Sequence, residues 1–174
     1  QGIDIEGETV GLITYMRTDG TQISNEAISD FRKLISKDLG KEYLPEHPNN
    51  YKGKKAKNAQ EAHEAIRPTD ITKKPIDMKK YLSTDQSKLY ELIWNRALSS
   101  QMNPAEFDRK SITIESDNKK INFKANGSTI KFDGFLKVYK FEEKDEDLKN
   151  ILPDVKIEDK VSIKELIDDQ HFTD

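Results

Sequence analysis

The chain has 174 residues, a net charge of −3, and 34% apolar against 35% charged residues. That length suits one ordinary domain or two small ones, and the composition describes a strongly solvated chain with a modest core. The absence of cysteine excludes disulfides, thiolate metal sites and a cysteine nucleophile in this segment. No apolar run approaches the roughly 18–20 residues of a membrane span, and no basic stretch leads into a hydrophobic one as in a secretory signal. The expectation is a cytoplasmic protein without a membrane partner. Residues 1–105 carry +1 and residues 106–174 carry −4, a balance that argues mildly against nucleic acid. Lys52, Lys54, Lys55 and Lys57 nevertheless cluster, and read equally as a solvated loop or a phosphate-facing one.

In chain order, Val10–Tyr15 (VGLITY) is rich in Val, Ile and Thr and predicts a buried strand, ended by the Asp19-Gly20 turn signal. A helix is expected over Asn25–Leu39, with Ser24 as N-cap, an apolar stripe of Ile28, Phe31, Leu34 and Ile35, and Gly40 as its stop. Residues 41–59 hold two prolines, Asn49-Asn50 and the lysines, a loop longer than ordinary connections. A short helix, Ala59–Ile66, is halted by Pro68. Ser83 and Gln86 form a capping-box pattern ahead of a helix reaching about Gln101, with Leu89, Leu92, Ile93, Trp94 and Leu98 as its stripe.

The pattern changes near Pro104. Ser111–Glu115 and Ile121–Ala125 alternate around a polar turn, a hairpin with one wet face. Thr129–Phe132 and Phe135–Tyr139 are expected to continue it, followed by an acidic stretch at Glu142–Asp147 and a last strand at Val161–Leu166. The fold class is therefore α+β, with a mainly helical domain over 1–105 and a β-rich segment over 106–174.

Two segments can carry chemistry. In ITYMRTDG, Tyr15 and Arg17 lie two apart and would share one face of a strand. A phenol, with a reference pKa of about 10, is a poor nucleophile. A neighbouring guanidinium favours its ionised form and can grip a phosphodiester by two parallel hydrogen bonds. Such a pair suits transesterification through a phosphotyrosine, although by spacing alone an exposed Tyr beside an Arg is more often plain surface. In AQEAHEAIRPTD, His63 and Arg67 lie four apart and would share a helix face if the helix reaches that far. They could offer a donor and a fixed charge to a phosphate, or belong to an ordinary surface helix. Position 67 is Arg, so no second His completes a zinc motif, and no metal site is expected.

Together and in this order, ITYMRTD and QEAHEAIRPTD resemble the active-tyrosine region of the bacterial topoisomerase I family, the type IA DNA topoisomerases. GETVGLITYMRTDG, KLYELIWNRALSSQMNPA, FDGFLKVY and DQHFT extend the resemblance through the chain, and Met16 with HEAIRP fits this branch better than topoisomerase III. The resemblance implies that Tyr15 is the nucleophile that holds a 5′ DNA end. It implies that Arg17 stabilises charge on the scissile phosphate, that His63 contacts the DNA backbone near the break, and that Arg67 helps hold the same region. Thr18 and Asp19 would shape the turn. Gly20 departs from the family's usual Ser.

By the same resemblance, Mg2+ belongs to an upstream Toprim domain that this segment lacks, and no cofactor is expected among these residues. The partners implied are single-stranded DNA at the cleavage site and the remaining domains of the same polypeptide. The helical part would belong to a mobile gate domain and the β part to the arch that carries it. The chain reads as a central piece, unable to relax DNA alone. A non-catalytic DNA-binding module, and a piece of a topoisomerase III or reverse gyrase, stay open as alternatives.

Overall fold

The computed structural model describes residues 2–51, 63–139, 151–168 and 170. The lysine cluster, the acidic stretch, most of DQHFT and the first half of the expected helix Ala59–Ile66 lie outside the described residues. The elements are β1 (Ile3–Ile5), β2 (Glu8–Val10), α1 (Asn25–Asp38), α2 (Pro75–Met78), α3 (Thr84–Ser99), β3 (Glu106–Glu115) and β4 (Asn122–Phe132). Single 3-10 turns lie at Lys41–Tyr43, Lys79–Tyr81 and Gly134–Lys137. The class is α+β, as expected. The chain forms two compact units, Gln1–Glu106 with Lys131–Glu142, and Phe107–Ile130 with Glu143–Asp174.

The first unit opens with a hairpin that the sequence analysis does not anticipate. β1 and β2 pair antiparallel, Ile3 opposite Val10 and Ile5 opposite Glu8. Glu6 (φ 54°) and Gly7 (φ 90°) form the turn. Positive φ at both central residues is what a type I′ two-residue hairpin turn demands, and glycine meets it without steric cost. The alternation of Ile3 and Ile5 with acidic neighbours ahead of Gly7 was the signal. The expected strand Val10–Tyr15 is corrected accordingly: the ladder ends at Val10, and further on a single bridge joins Ile13 to Pro68.

α1 starts and stops close to where its sequence places it. Ser24 accepts a hydrogen bond from the Ala27 N–H, and Phe31 and Ile35 are fully buried. α3 carries the capping box in both directions between Ser83 and Gln86. Its buried stripe differs from the expected one. Leu89 and Leu92 are 55% and 53% exposed, and Tyr90, Trp94, Ala97 and Leu98 take the inner face. These four follow the i, i+4, i+7, i+8 positions of one helical face, which Leu89 and Leu92 leave. Tyr90 and Trp94 can lie inside because their polar tips are satisfied: the Tyr90 hydroxyl donates to Lys73 O (2.7 Å) and Trp94 Nε1 donates to Ile71 O (3.0 Å). Burial, with the nearby Asp70 charge, pushes the Tyr90 phenol up to about 12.

Gln101, just beyond α3, is fully buried. Its amide nitrogen donates to Asn49 O (2.9 Å), and its carbonyl accepts from Asn49 N–H (3.2 Å). The Asn49 amide in turn donates to Ser100 O and Met102 O. This side chain therefore acts as a short strand, fixing the loop after Pro48 against the end of α3.

In the second unit β3 and β4 form a hairpin, with Ile112 and Ile114 half-buried between exposed Ser111, Thr113 and Glu115. β4 absorbs Thr129–Phe132 into one continuous strand. The strands expected at Phe135–Tyr139 and Val161–Leu166 are not formed. The former holds the 3-10 turn, entered through Gly134 at φ 48°, where the Phe135 N–H donates to Asn103 O (2.9 Å). Over Val161–Leu166 the alternating residues are exposed, and no strand among the described residues pairs with them. An apolar/polar alternation specifies a face, and without a partner edge it does not become a ladder.

Replacing Gln101 by Leu should leave the Asn49 N–H and C=O without partners. The expected destabilisation is about 1–3 kcal/mol, read from the midpoint of urea unfolding. An unchanged midpoint would mean that water replaces the amide.

Candidate active site

The residues around Tyr15 are held by two segments forty-odd positions apart in sequence. The segment from His63 to Thr69 runs between residues 11–14 on one side and 20–24 on the other. On the first side Thr14 N–H donates to Arg67 O (2.9 Å), Thr69 N–H to Leu12 O (3.0 Å) and Thr69 Oγ1 to Gly11 O (2.6 Å). Thr14 Oγ1 also donates to Ala65 O (2.8 Å) and accepts from Arg67 N–H (3.0 Å). On the second side Ala65 N–H donates to Gln22 O (2.8 Å) within a parallel bridge between Gln22 and Glu64. Extended geometry from 63 to 66 satisfies these bonds, so the described end of the expected helix Ala59–Ile66 is not helical. His63 and Arg67 consequently do not share a helix face.

The backbone lacing brings three of the predicted residues together. Tyr15 is 73% exposed, and its ring centroid lies 6.1 Å from that of His63, tilted by 38°. Arg17 Nη1 lies 3.4 Å from His63 Nε2. The Arg17 N–H donates to Tyr15 O (3.0 Å), so these residues turn tightly instead of continuing a straight strand. Their convergence comes from His63 lying between them, not from the alternation of a strand.

A fourth member was not assigned a chemical role by the sequence. Asp19 Oδ2 lies 3.4 Å from His63 Nδ1, outside hydrogen-bond geometry, and Nδ1 is otherwise buried without a partner. The imidazole thus bridges a carboxylate and a guanidinium. The only available signal was the presence of a carboxylate within the same short motif, which turn-forming chemistry explained equally well.

Arg67 goes elsewhere. Its side chain is 12% exposed, Nε donates to Glu64 Oε1 (2.8 Å) and Nη1 donates to Pro68 O (2.8 Å). Glu64 Oε1 also accepts from the N–H of Ser24, the N-cap of α1 (2.9 Å). Burial pushes the Glu64 carboxyl up, but the hydrogen bonds from Arg67 and Ser24 outweigh it and hold the group below the usual range. The Glu64–Arg67 pair anchors α1 to the laced segment. Among the described residues no three His, Asp or Glu side chains converge as a metal site.

Gly20 has an ordinary φ; it is required by proximity. A Cβ there would lie 1.5 Å from His63 O and 2.5 Å from its carbonyl carbon. The two strands of the lace can approach this closely only without a side chain.

Gly20→Val should cost about 1–3 kcal/mol by overpacking, read by urea unfolding, and should weaken the Arg17–His63 contact, read from the His63 ring resonances. Wild-type values in both would show that the loop moves aside freely. Glu64 carries a pH signature. Its folded carboxyl titrates below the unfolded reference of about 4.3, so its contribution is complete above that value and disappears as pH falls through the lower folded one. Glu64→Gln should therefore lower the thermal midpoint at pH 7, and the difference from the parent should shrink as pH falls through the lowered carboxyl's titration. A difference that stays constant with pH would assign the effect to packing.

The sequence matches the DNA topoisomerase family over residues 8–174. It is 51% identical to DNA topoisomerase 1 of Rickettsia bellii (strain RML369-C) over 176 residues, covering 100% of this chain and 22% of that protein. It is 42% identical to DNA topoisomerase 1 of Xylella fastidiosa (strain 9a5c) over 182 residues, covering 99% of this chain and 22% of that one. The solved full-length topoisomerase I of Thermotoga maritima matches with a TM-score of 0.68 at 38% identity, over 81% of this chain and 22% of that structure. The chain thus spans 22% of the length of each of these relatives. A family match over nearly every residue, joined to the same fold in a solved relative, shows that the chain belongs to the bacterial type IA DNA topoisomerases.

Proposed function

We propose that Tyr15 is the nucleophile of a DNA strand-cleaving and resealing reaction. The observation that carries this reading is the convergence of an exposed phenol, a guanidinium and an imidazole on one surface patch. Tyr15 Oη attacks the phosphorus of one strand, the bond from phosphorus to the 3′ oxygen breaks, and the departing 3′ hydroxyl takes up a proton. The 5′ end is held as a phosphotyrosyl ester, and attack by the same hydroxyl reverses the step. The ester conserves the phosphodiester bond energy, so relaxation of negative supercoils needs no ATP.

Arg17 neutralises charge on the non-bridging oxygens. Its only side-chain hydrogen bond among the described residues is the long one to His63, which leaves its other guanidinium donors for a phosphate. His63, facing Asp19 through Nδ1, presents Nε2 to the same space. Arg67 supports the fold and would act on DNA only through the segment it anchors. Mg2+ would neutralise phosphate charge from carboxylates supplied outside this chain, and it has no ligand cluster among the described residues. No helix among the described residues is long and apolar enough to cross a membrane. Acting on DNA, the protein would work in the cytoplasm.

In the full-length protein, Tyr15→Phe should abolish covalent capture of a single-stranded oligonucleotide, read as a shifted band on a denaturing gel, with unchanged circular dichroism. Persistent capture would identify another nucleophile. Arg17→Ala should slow cleavage about 10²–10³-fold, the usual loss for one donor to a developing oxyanion. The isolated 174-residue chain should show no Mg2+-dependent relaxation, and robust relaxation would overturn the assignment of half the centre to other domains.

A further inference from the structure

Behind the lace lies a groove of about 710 Å³, within the first unit. Gly20 and Thr21 form one wall, Ala65 and Ile66 another, and these directly follow Asp19 and Glu64 in the chain. Tyr51 and Arg96 supply the chemistry of the opposite side. None of the described residues lining the groove is acidic, in a chain whose net charge is −3.

Tyr51 is held as a platform. Its hydroxyl donates to Ser100 O (2.9 Å), its carbonyl accepts from Thr21 Oγ1 (3.3 Å), and yet it is 50% exposed. An aromatic ring fixed at its tip and at its backbone loses little freedom when something stacks on it. Arg96 is exposed and lies over the Tyr139 ring (5.1 Å), and no carboxylate among the described residues pairs with it. A planar cation without an anionic partner among the described residues, beside a presented ring, matches a phosphate joined to a base. The volume falls within the range of small-ligand sites.

We infer that this groove is a nucleotide subsite for the strand that Tyr15 cuts, with one base stacked on Tyr51 and the adjoining phosphate on Arg96. The inference rests on the proposed strand cleavage for its choice of ligand. The groove shares its walls with the segments carrying Asp19 and His63, so a strand lying across those residues is led into it. A free mononucleotide would meet the same two groups but would have no reason to be drawn to this position.

The test uses the full-length protein and single-stranded oligonucleotides carrying 5-iodouracil at successive positions on either side of the break. One position should crosslink to Tyr51, identified by mass spectrometry. Tyr51→Leu should weaken binding of oligonucleotides that include that position about tenfold, within the range for loss of one base–aromatic stack. Tyr51→Phe, which keeps the ring, should restore it. An abasic nucleotide at that position should erase the difference between Tyr51→Leu and wild type. Arg96→Gln should weaken the same oligonucleotides and lower the salt dependence by about one phosphate contact. Oligonucleotides too short to include the position should bind every variant equally.

The subsite is overturned if no position crosslinks to Tyr51, or if Tyr51→Leu weakens short and long oligonucleotides alike. Free mononucleotide competing as well as the strand would also overturn it, by making the groove an independent nucleotide site. Tyr15→Phe separates this result from the reading beneath it. If the cleavage assignment fails, capture survives in Tyr15→Phe; if only the subsite fails, Tyr15→Phe is inactive and Tyr51→Leu captures long strands normally.

Discussion

The arrangement depends on a set of backbone hydrogen bonds joining residues 11–14 and 20–22 to the segment 63–69. Neither segment is a regular strand, and neither could hold Tyr15 in place alone. Thr14 contributes more than its backbone, since one hydroxyl both donates to Ala65 O and accepts from Arg67 N–H. The lace satisfies peptide groups that loops ordinarily leave to water. It thereby turns two irregular stretches into a scaffold stiff enough to fix three side chains. Gly20 sets how tightly the lace closes, and Glu64 fixes it to the start of α1.

Much of the helical framework was legible. α1, its Ser24 cap and the capping box of α3 rest on local rules, in which the side chain that satisfies an orphan N–H is within a few residues of it. The stripe of α3 was only half legible. Leu89 and Leu92 outrank Tyr90 on hydrophobicity, but the choice was made by distant acceptors, Lys73 O and Ile71 O, that welcome the polar tips of Tyr90 and Trp94. The strands expected at Phe135–Tyr139 and Val161–Leu166 failed for a related reason, because period-2 patterning says nothing about whether an edge will be offered.

At the site itself the sequence named Tyr15, Arg17 and His63 but misjudged how they meet. Strand alternation was to have aligned Tyr15 with Arg17, and a helix was to have aligned His63 with Arg67. Instead a tight turn and an extended segment place His63 between the first two. For Arg67, a motif shows which residues occur together without showing which of them face inward. Its charge meets Glu64 at 2.8 Å, and a partly buried ion pair of this kind holds its members where either alone would be costly. Asp19 is the converse, a residue read as turn chemistry whose carboxylate faces the imidazole.

The exposure of Tyr15 and Met16, 73% and 75%, bears on how the proposed chemistry would be controlled. Water around an exposed phenol screens the neighbouring guanidinium, so the field that Arg17 can exert is weak while the patch is open. The same groups act far more strongly once a second surface excludes that water. A phenol mounted on the lace, with its electrostatic partners placed but still solvated, would as the proposed nucleophile be poised and inefficient by construction. On the proposed reading, cleavage would be conditional on a second surface enclosing the patch, and the solvated tyrosine would not be spent on stray phosphates.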